Sequence, residues 1–463
     1  MLAGGGLVKN PADSAVRIAL ARLGYWSSVF HFINTRKLFP DLPPVIEFTV
    51  YVWSRLAVDR TRLLMNAETD QGLPEIAEKQ GLLCGSEELR EQLIVTGFFP
   101  ITQAGLGHDC TNLTDLSSWL SSLGVRLTSD LHRTGAEEAL RRLSSLGTSG
   151  DDAREPSLYQ QLITRGFVPA YSGKSIRHFD DYSQERAGRW DPRVDLVATV
   201  LNPESLRVIE RARYFRFAVR ATCGSPRTNA RSVTTCILCP GSLATNSILI
   251  DGFPQERPNA NALLAAAVLN TFVVDARARP RISANFNDAI MTQVEAPVPS
   301  SQQQLLLVHG ALRLSSNHTR FQSLWREQLV DTWREPGRSP FTWPVLSEVD
   351  DRWRVRAALD SVVADAYGLS RDQYAHVLST FSHKSYPKAV EVCLAMFDEL
   401  KAIGLDAFTK KHDPYWDIPL NENLPQPVID LPIPGKAGTE PDGEEYRLTA
   451  SSTQKPRGRR KKS

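Results

Sequence analysis

Hydrophobic and polar positions divide the chain into a part rich in strand patterns and a later part rich in helical patterns. Near the start, apolar residues recur at helical spacing over residues 16–23, with Gly24 as a stop signal. Two strand-like runs follow at residues 26–33 and 45–53. The second alternates apolar with polar residues, which is typical of a strand with one buried face. We predict that the two runs pair as a hairpin or near-hairpin.

The middle of the chain carries three further strand patterns and one apolar helix. Cationic and apolar positions alternate from Arg216 to Arg220, which predicts a strand with one apolar and one cationic face. β-Branched and apolar runs at residues 233–239 and 247–250 predict two more strands. Residues 261–274 are apolar on most sides, so we predict a single buried helix there.

Helical spacing dominates from residue 305 onward. Ser370 followed by Gln373 has the pattern of a capping box, which marks the start of one helix. The tryptophan and methionine positions of this part are interpreted as core positions. From residue 425 the chain is rich in proline, glycine and charge without periodicity, which predicts a disordered, basic tail.

Positive charge is concentrated in the middle of the chain. Seven arginines and one acidic residue lie between Ser205 and Arg231, whereas the formal net charge of all 463 residues is +2. Arginine, threonine and asparagine in a loop between strands suit contacts to phosphates and base edges. An ordinary solvated hairpin has the same composition, so both interpretations stand at this point.

The cysteines and the apolar runs indicate the cellular compartment and argue against a membrane span. Six cysteines without a paired pattern indicate a reducing compartment, and together with the lack of an apolar leader they predict a cytoplasmic protein. The longest apolar run, near residues 262–274, is too short for a membrane span. Cys236-x-x-Cys239 is the one metal-like spacing, but positions three apart on a strand point to opposite faces. We interpret these cysteines as buried thiols and predict no metal site.

Four blocks in the middle of the chain occur in an order typical of a known protein family. They are LYQQLITRGFVPAYSGKSIRHFDDY (158–182), YFRFAVRATCGSPRTNARSVTTCILCPG (214–241), LLAAAVLNTFVVD (263–275) and RISANFNDAIMTQVEAPVP (281–299). The series resembles the target-recognition region of large adenine-specific DNA methyltransferases of restriction–modification and phage-defence systems. VFHFINTRKLFPDLPPVIEFTVYV (29–52) resembles the closing part of the same family's catalytic domain.

The resemblance covers most of residues 1–400 and implies a mixed α+β fold. It implies a remnant of an α/β methyltransferase sheet, then a β-rich recognition domain, then a helical region. The linker-like composition of residues 147–156 marks one boundary. The predicted units are a remnant of the catalytic domain (1–146), a target-recognition domain (147–300), a helical region (301–420) and a tail (421–463).

Two motifs that adenine methylation needs are not found in the sequence. One is the glycine-rich turn that seats S-adenosylmethionine, and the other is an Asn/Asp-Pro-Pro-Tyr/Phe loop that holds the flipped adenine. The nearest match, HDPY at residues 412–415, has one proline and follows the helical part. We therefore predict no catalytic or cofactor-binding residues on this chain. S-adenosylmethionine is expected on a partner chain or on a missing amino-terminal part.

The leading hypothesis is the DNA target-recognition portion of a split or truncated adenine-specific DNA methyltransferase. Its predicted partners are double-stranded DNA and a methyltransferase subunit that carries the catalytic motifs and docks on residues 1–60. The alternatives are an interaction or scaffold protein of a defence system, or a fragment of a complete methyltransferase-nuclease. The predicted DNA-contacting residues are Lys174, Arg177, Arg216, Arg220, Arg227, Thr228, Asn229 and Arg231.

Overall fold

The structure is a computed structural model of the 463-residue chain. The part that it describes comprises residues 2–9, 13–41, 46–67, 70–80, 82–97, 99, 113–131, 140–142, 167–181, 195–198, 210–223, 230–282 and 285–429.

Strands in the described part of the first hundred residues form one mixed sheet. They are β1 (Leu2–Gly4), β2 (Tyr25–Ile33), β3 (Glu47–Ser54), β4 (Arg60–Ala67) and β5 (Leu82–Gly85). Their order is β1-β3-β2-β4-β5, with β2 parallel to β4 and the other neighbours antiparallel. The predicted pairing of the two apolar runs is confirmed, since β2 and β3 pair along their length.

Helices cover this first sheet on both faces. They are α1 (Gly6–Lys9), α2 (Ser14–Leu23), α3 (Leu73–Gln80) and α4 (Ser86–Thr96). Leu63 of β4 packs in a cluster with Ala21 of α2 and Leu93 of α4. The next residue, Leu64, packs in a second cluster with Ala77 of α3. Because neighbouring strand residues point to opposite faces, the two clusters lie on opposite sides of the sheet.

In the described residues of the central part there are two four-stranded sheets and one strand pair. The further strands are β6 (Leu113–Asp115), β7 (Leu127–Thr128), β8 (Leu140–Arg142), β9 (Phe167–Tyr171), β10 (Asp195–Ala198), β11 (Arg216–Arg220), β12 (Thr235–Leu238), β13 (Leu243–Ala244), β14 (Ile248–Asp251) and β15 (Glu295–Pro297). Their orders are β12-β11-β14-β7, β13-β9-β10-β8 and β15-β6.

The prediction that β11 has a cationic face is wrong. The strand itself is confirmed, but it lies inside the sheet between β12 and β14, and four of its five residues are buried. Both faces of β11 are therefore covered, and alternation in the sequence did not mark a solvent-facing side.

The predicted apolar helix is two helices. They are α6 (Asn259–Leu269) and α7 (Phe272–Ala278), which follow the short α5 (Leu116–Ser122) in chain order and meet at an angle of 70°. Almost every residue of the pair is buried. In the described residues no single helix is long and apolar enough to cross a membrane, and only this bent pair reaches that length and composition.

The helical region packs on the central sheet through one shared core. Its helices are α8 (Asp288–Met291), α9 (Ser301–Ser315), α10 (Gln322–Leu329), α11 (Val349–Ala366), α12 (Arg371–Ser379) and α13 (Ala389–His412). The predicted capping box of Ser370 and Gln373 is confirmed at α12. Buried apolar residues from Leu116 to Tyr415 form one continuous cluster. The mixed α+β class is thus confirmed, while the predicted unit boundaries stay predictions and the linker at residues 147–156 lies outside the described residues.

Candidate nucleic-acid interface

The segment after β9 forms a tight turn that presents two of the predicted cations. We call residues 172–181 the recognition turn. Its backbone closes on itself, because Arg177 N donates to Asp180 O at 2.9 Å and Asp180 N donates to Arg177 O at 3.1 Å. Lys174 is exposed and Arg177 is half-buried. The turn therefore holds a mobile ammonium and a guanidinium at the surface, which is the chemistry that phosphate contacts require.

Arg220, at the end of β11, ties the recognition turn to the central sheet. Its guanidinium donates to Ile176 O. Gly173 N donates to Ser247 Oγ at 2.9 Å. A Cβ at Gly173 would lie 2.9 Å from Ser247 O, so only glycine allows this close approach. The structure thus brings Arg220 into contact with the turn that carries Lys174 and Arg177, while the predicted DNA contacts of these three residues stay predictions.

Arg231 lies beside the same turn but is largely occupied within the protein. Its Nε is 2.6 Å from Asp275 Oδ2, and its terminal nitrogen donates to Asn270 O and Thr271 O. Its side chain is 15% exposed. We therefore correct the predicted role: Arg231 stabilises the α6–α7 bend, and it contributes charge to the surface rather than free donors.

Arg216 is a second correction to the predicted set. Its guanidinium donates twice to the Asp130 carboxylate at 2.9 Å and once to Ser242 O. Both side chains of the ion pair are at most 1% exposed. A side chain held in the interior by these bonds cannot contact a duplex, so Arg216 is a structural residue.

The remaining predicted residues belong to the connection between β11 and β12. Arg227, Thr228 and Asn229 lie outside the described residues. The nearest described residues on either side are Cys223, which is buried, and Ala230, which is exposed. The base-contacting role of this connection stays a prediction.

A layer of arginines and aromatic rings adjoins the recognition turn, and sequence reasoning missed it. Each of its arginines lies over one or two aromatic rings. From the guanidinium carbon to the ring centre, Arg279 is 4.2 Å from Phe381 and Arg231 is 4.4 Å from Phe272. Arg356 is 4.9 Å from Trp353 and 5.9 Å from Phe179. We call these seven residues the arginine–aromatic layer. A sequence signal existed, because Trp353 and Arg356 share a face of α11, but a tryptophan in a helix was interpreted as core.

His178 reports the positive field at the centre of this surface. Its Nε2 is 3.0 Å from Val233 O. Burial lowers the pKa of His178 well below its usual value, and the neighbouring Arg231, Arg356 and Arg220 lower this pKa further. The imidazole is therefore neutral at physiological pH, with Nε2–H as the donor. Guanidinium groups from the sheet, the β11–β12 side and the helical region thus all act electrostatically on this imidazole.

Comparisons with known proteins find only remote structural similarity. No protein-family model and no curated protein matches the chain. The type IIL restriction-modification enzyme MmeI, solved in complex with DNA, aligns with a TM-score of 0.39 and 9% identity, over 82% of this chain and 49% of that chain. The type IIG restriction endonuclease BpuSI aligns with a TM-score of 0.24 and 12% identity, over 88% of this chain and 47% of that chain. The chain spans about half the length of either enzyme, and at these TM-scores neither similarity decides the function.

Among the described residues, one cluster of potential metal ligands includes Asp181, the last residue of the recognition turn. Single ligand atoms of Asp181, Cys239 and His318 lie within 4.8 Å of one another. Asp181 accepts from His318 Nε2 at 2.8 Å and from Cys239 N at 3.4 Å. Burial acts to raise the pKa of Asp181, but His318 and Arg320 outweigh it and lower this pKa. Hydrogen bonds therefore account for the buried carboxylate, and we interpret the cluster as a structural link between the turn, β12 and the helical region.

The thiols of the Cys236-x-x-Cys239 motif are buried, as predicted. Both are at most 1% exposed. Burial raises the pKa of each thiol well above its usual value, and Asp181 adds to the shift. Protonated, inaccessible thiols are poor nucleophiles. Neither thiol is therefore a candidate nucleophile of this surface.

Proposed function

We propose that this protein binds double-stranded DNA as the target-recognition portion of an adenine-specific DNA methyltransferase of a restriction–modification or phage-defence system. The observation that carries the proposal is a group of cations on and around the recognition turn. Lys174 is exposed and Arg177 is half-buried there, Arg220 donates to Ile176 O, and the Arg356 guanidinium lies 5.9 Å from the centre of the Phe179 ring. Such a concentration of positive charge on a chain with a net charge of +2 favours a polyanion as the ligand.

In the proposed complex, different parts of the surface have different tasks. Lys174 and Arg177 contact phosphates, which position the protein without reading sequence. Arg227 and Asn229, in the β11–β12 connection, read base edges, because arginine pairs bidentately with guanine and asparagine with adenine. Thr228 adds a hydroxyl contact to either a base or a phosphate.

The proposal also includes a second protein chain. An apolar row is exposed at the edge of the first sheet, where Leu2 of β1 is paired with Val50 of β3. Leu2 is 60% exposed, Val50 37% and Val52 53%. We propose that a subunit carrying the catalytic motifs and S-adenosylmethionine covers this row. Val52→Lys should then weaken the complex with that subunit, and a well-folded chain that methylates DNA unaided would refute the split arrangement.

Duplex affinity measured over a range of salt concentrations tests DNA binding directly. Each phosphate contact contributes about 0.9 to the slope of log K against log salt concentration. In the double variant Lys174→Gln, Arg177→Gln, the magnitude of this slope should therefore fall by up to about 2. Arg371→Gln, an exposed cation of α12 paired with Asp398, is the matched control and should keep the slope. If the wild-type protein ignores duplexes at every ionic strength, the proposal is wrong.

An interaction or scaffold role is the alternative, and the exposed apolar row with the near-neutral net charge favours it. In that case the partner complex forms through the row, but no duplex is shifted by the protein alone or in the complex. A fragment of a complete methyltransferase-nuclease would instead show the glycine-rich and Pro-Pro motifs in the reading frame immediately upstream.

A further inference from the structure

The first turns of α11 carry three arginines, and two of them have bonded partners within the protein. Arg352 donates to Asn317 Oδ1 at 2.7 Å and to Leu314 O at 3.0 Å, so it holds the end of α9. Arg354 points to another side, where it is 65% exposed and paired with Asp351. Neither guanidinium is available to a new ligand without losing these bonds.

Arg356 differs from both, because its guanidinium contacts rings rather than acceptors. It lies 4.9 Å from the Trp353 ring centre and 5.9 Å from that of Phe179. Within the described part of the chain, it forms neither a hydrogen bond nor an ion pair. A guanidinium on an aromatic face keeps its N–H edge free, and this edge matches the geometry of a phosphate.

Other arginines act on Arg356, and no carboxylate among the described residues forms an ion pair with it. Burial, then Arg231 and Arg352, lower the pKa of Arg356 to about 9. Asp360, one turn along α11, faces Arg356, but its own pKa is raised to about 7 by burial. A half-buried cation without a bonded acid is unfavourable in the free protein. A bound anion would remove this cost.

We propose that Arg356, whose guanidinium lies over the rings of Trp353 and Phe179, binds a backbone phosphate of the DNA that lies along the recognition turn. This inference rests on the proposed DNA-binding function and extends it to the helical region. The ligand is a polyanion rather than a free anion because the site continues into Arg220, Lys174 and Arg177. One rigid unit therefore holds the duplex from two sides, the sheet and α11.

The salt dependence of duplex binding tests Arg356 on the full chain. Arg356→Gln should lower the affinity for a mixed-sequence duplex roughly tenfold and lower the salt slope by about 0.9, for every sequence alike. Arg356→Lys keeps a positive charge and should restore most of the slope. Arg354→Gln, two residues away on the same helix, is the matched control and should leave both quantities unchanged.

Arg356→Met gives a second, independent measurement that does not depend on the glutamine variant. Methionine keeps the contact with the two rings and removes the charge, so the free protein should melt at the same temperature or higher. A structural arginine would instead give a lower melting temperature together with an unchanged salt slope.

The outcomes separate this inference from the proposed function. If wild-type protein binds duplexes and Arg356→Gln keeps the wild-type slope, Arg356 is not a phosphate contact, while the proposed function stands. If inorganic phosphate at constant ionic strength stabilises wild type but not Arg356→Gln, and the duplex slope is again unchanged, the site takes a small anion and the DNA contact is refuted. If no duplex binds to wild type, both ideas are refuted.

Discussion

The side chain of Asn270 hydrogen-bonds both backbone polar groups of Thr235. Asn270 Oδ1 accepts from Thr235 N at 3.0 Å, and Asn270 Nδ2 donates to Thr235 O at 2.9 Å. The same Thr235 O also accepts from Phe179 N of the recognition turn at 2.9 Å. One residue of β12 therefore joins the α6–α7 bend to the proposed DNA surface.

Asn270→Ala should destabilise the protein strongly. The change leaves a buried N–H without its acceptor and removes one donor from a buried carbonyl, at roughly 1–3 kcal/mol for each group. We expect the free energy of unfolding to fall by about 2–4 kcal/mol in urea titrations. Asn261→Ala, in α6, is the control: it removes one bond to Leu123 O at 2.9 Å, and its loss should be near 1 kcal/mol. Equal losses for the two variants would contradict this account of the bend.

The bend also shows where local sequence patterns stop being informative. Residues 261–274 have continuous apolar character, which predicts one helix, and the polar pair Asn270–Thr271 did not interrupt that pattern. The break depends on β12, 35 residues earlier, whose backbone groups bond to Asn270. By contrast, the β2–β3 pairing and the capping box at Ser370 depend on residues close together in sequence, and both could be predicted.

The arginines of the candidate site also depend on partners that are distant in the sequence. The sequence shows that Arg216 and Arg231 are cationic. It does not show that they form ion pairs with Asp130 and Asp275 inside the protein, because those partners lie 86 and 44 residues away. Arg356 could not be assigned to this surface either, since only packing of the helical region on the sheet brings α11 to Phe179. Lys174 lies in a turn closed by neighbouring residues and is exposed, and its predicted phosphate contact stays a prediction.

Arg216→Met should cost stability without affecting DNA binding. Removing the guanidinium leaves the Asp130 carboxylate buried and unpaired, which costs about 3–5 kcal/mol. Arg213→Met, three residues earlier, removes a partly exposed ion pair with Glu210 and a hydrogen bond to Ile429 O, and it should cost clearly less, about 1–2 kcal/mol. Unfolding in urea measures both values. A reduced salt slope for duplex binding by folded Arg216→Met would return this residue to the set of DNA contacts.

Asp360 should make stability depend on pH in a defined window. Burial raises its pKa to about 7 in the folded protein, although Arg231 acts in the opposite direction. The unfolded value is about 3.9, so between roughly pH 4 and pH 7 the folded state binds the additional proton. The stabilisation is complete below this window and is lost as the pH rises through 7. Each pH unit in the window lowers the free energy of unfolding by up to about 1.4 kcal/mol.

Asp360→Asn should remove that contribution. Asparagine keeps an oxygen acceptor for Phe272 N, which now lies 2.6 Å from Asp360 Oδ1. Relative to wild type, the variant should therefore gain stability steadily as the pH is raised from 4 to 7. Asp365→Asn, on the same helix beside Lys401, controls for loss of a carboxylate as such. Parallel stability–pH curves for wild type and Asp360→Asn would show that the carboxyl group does not titrate in this window.

Arg227 and Asn229 should determine which DNA sequence the protein prefers, whereas Lys174 should contribute to the affinity for every duplex without affecting that preference. A bidentate contact to a base edge is worth about 1–3 kcal/mol of discrimination, so Arg227→Ala or Asn229→Ala should relax the preference at one base pair by that amount. Lys174→Gln should weaken all duplexes equally, because phosphates are the same in every sequence. Duplexes selected from a randomised pool, then changed one base pair at a time, measure these differences. A uniform loss with a lower salt slope for the Arg227 and Asn229 variants would move both residues to the phosphates. Unchanged affinity and preference would place the β11–β12 connection away from the DNA.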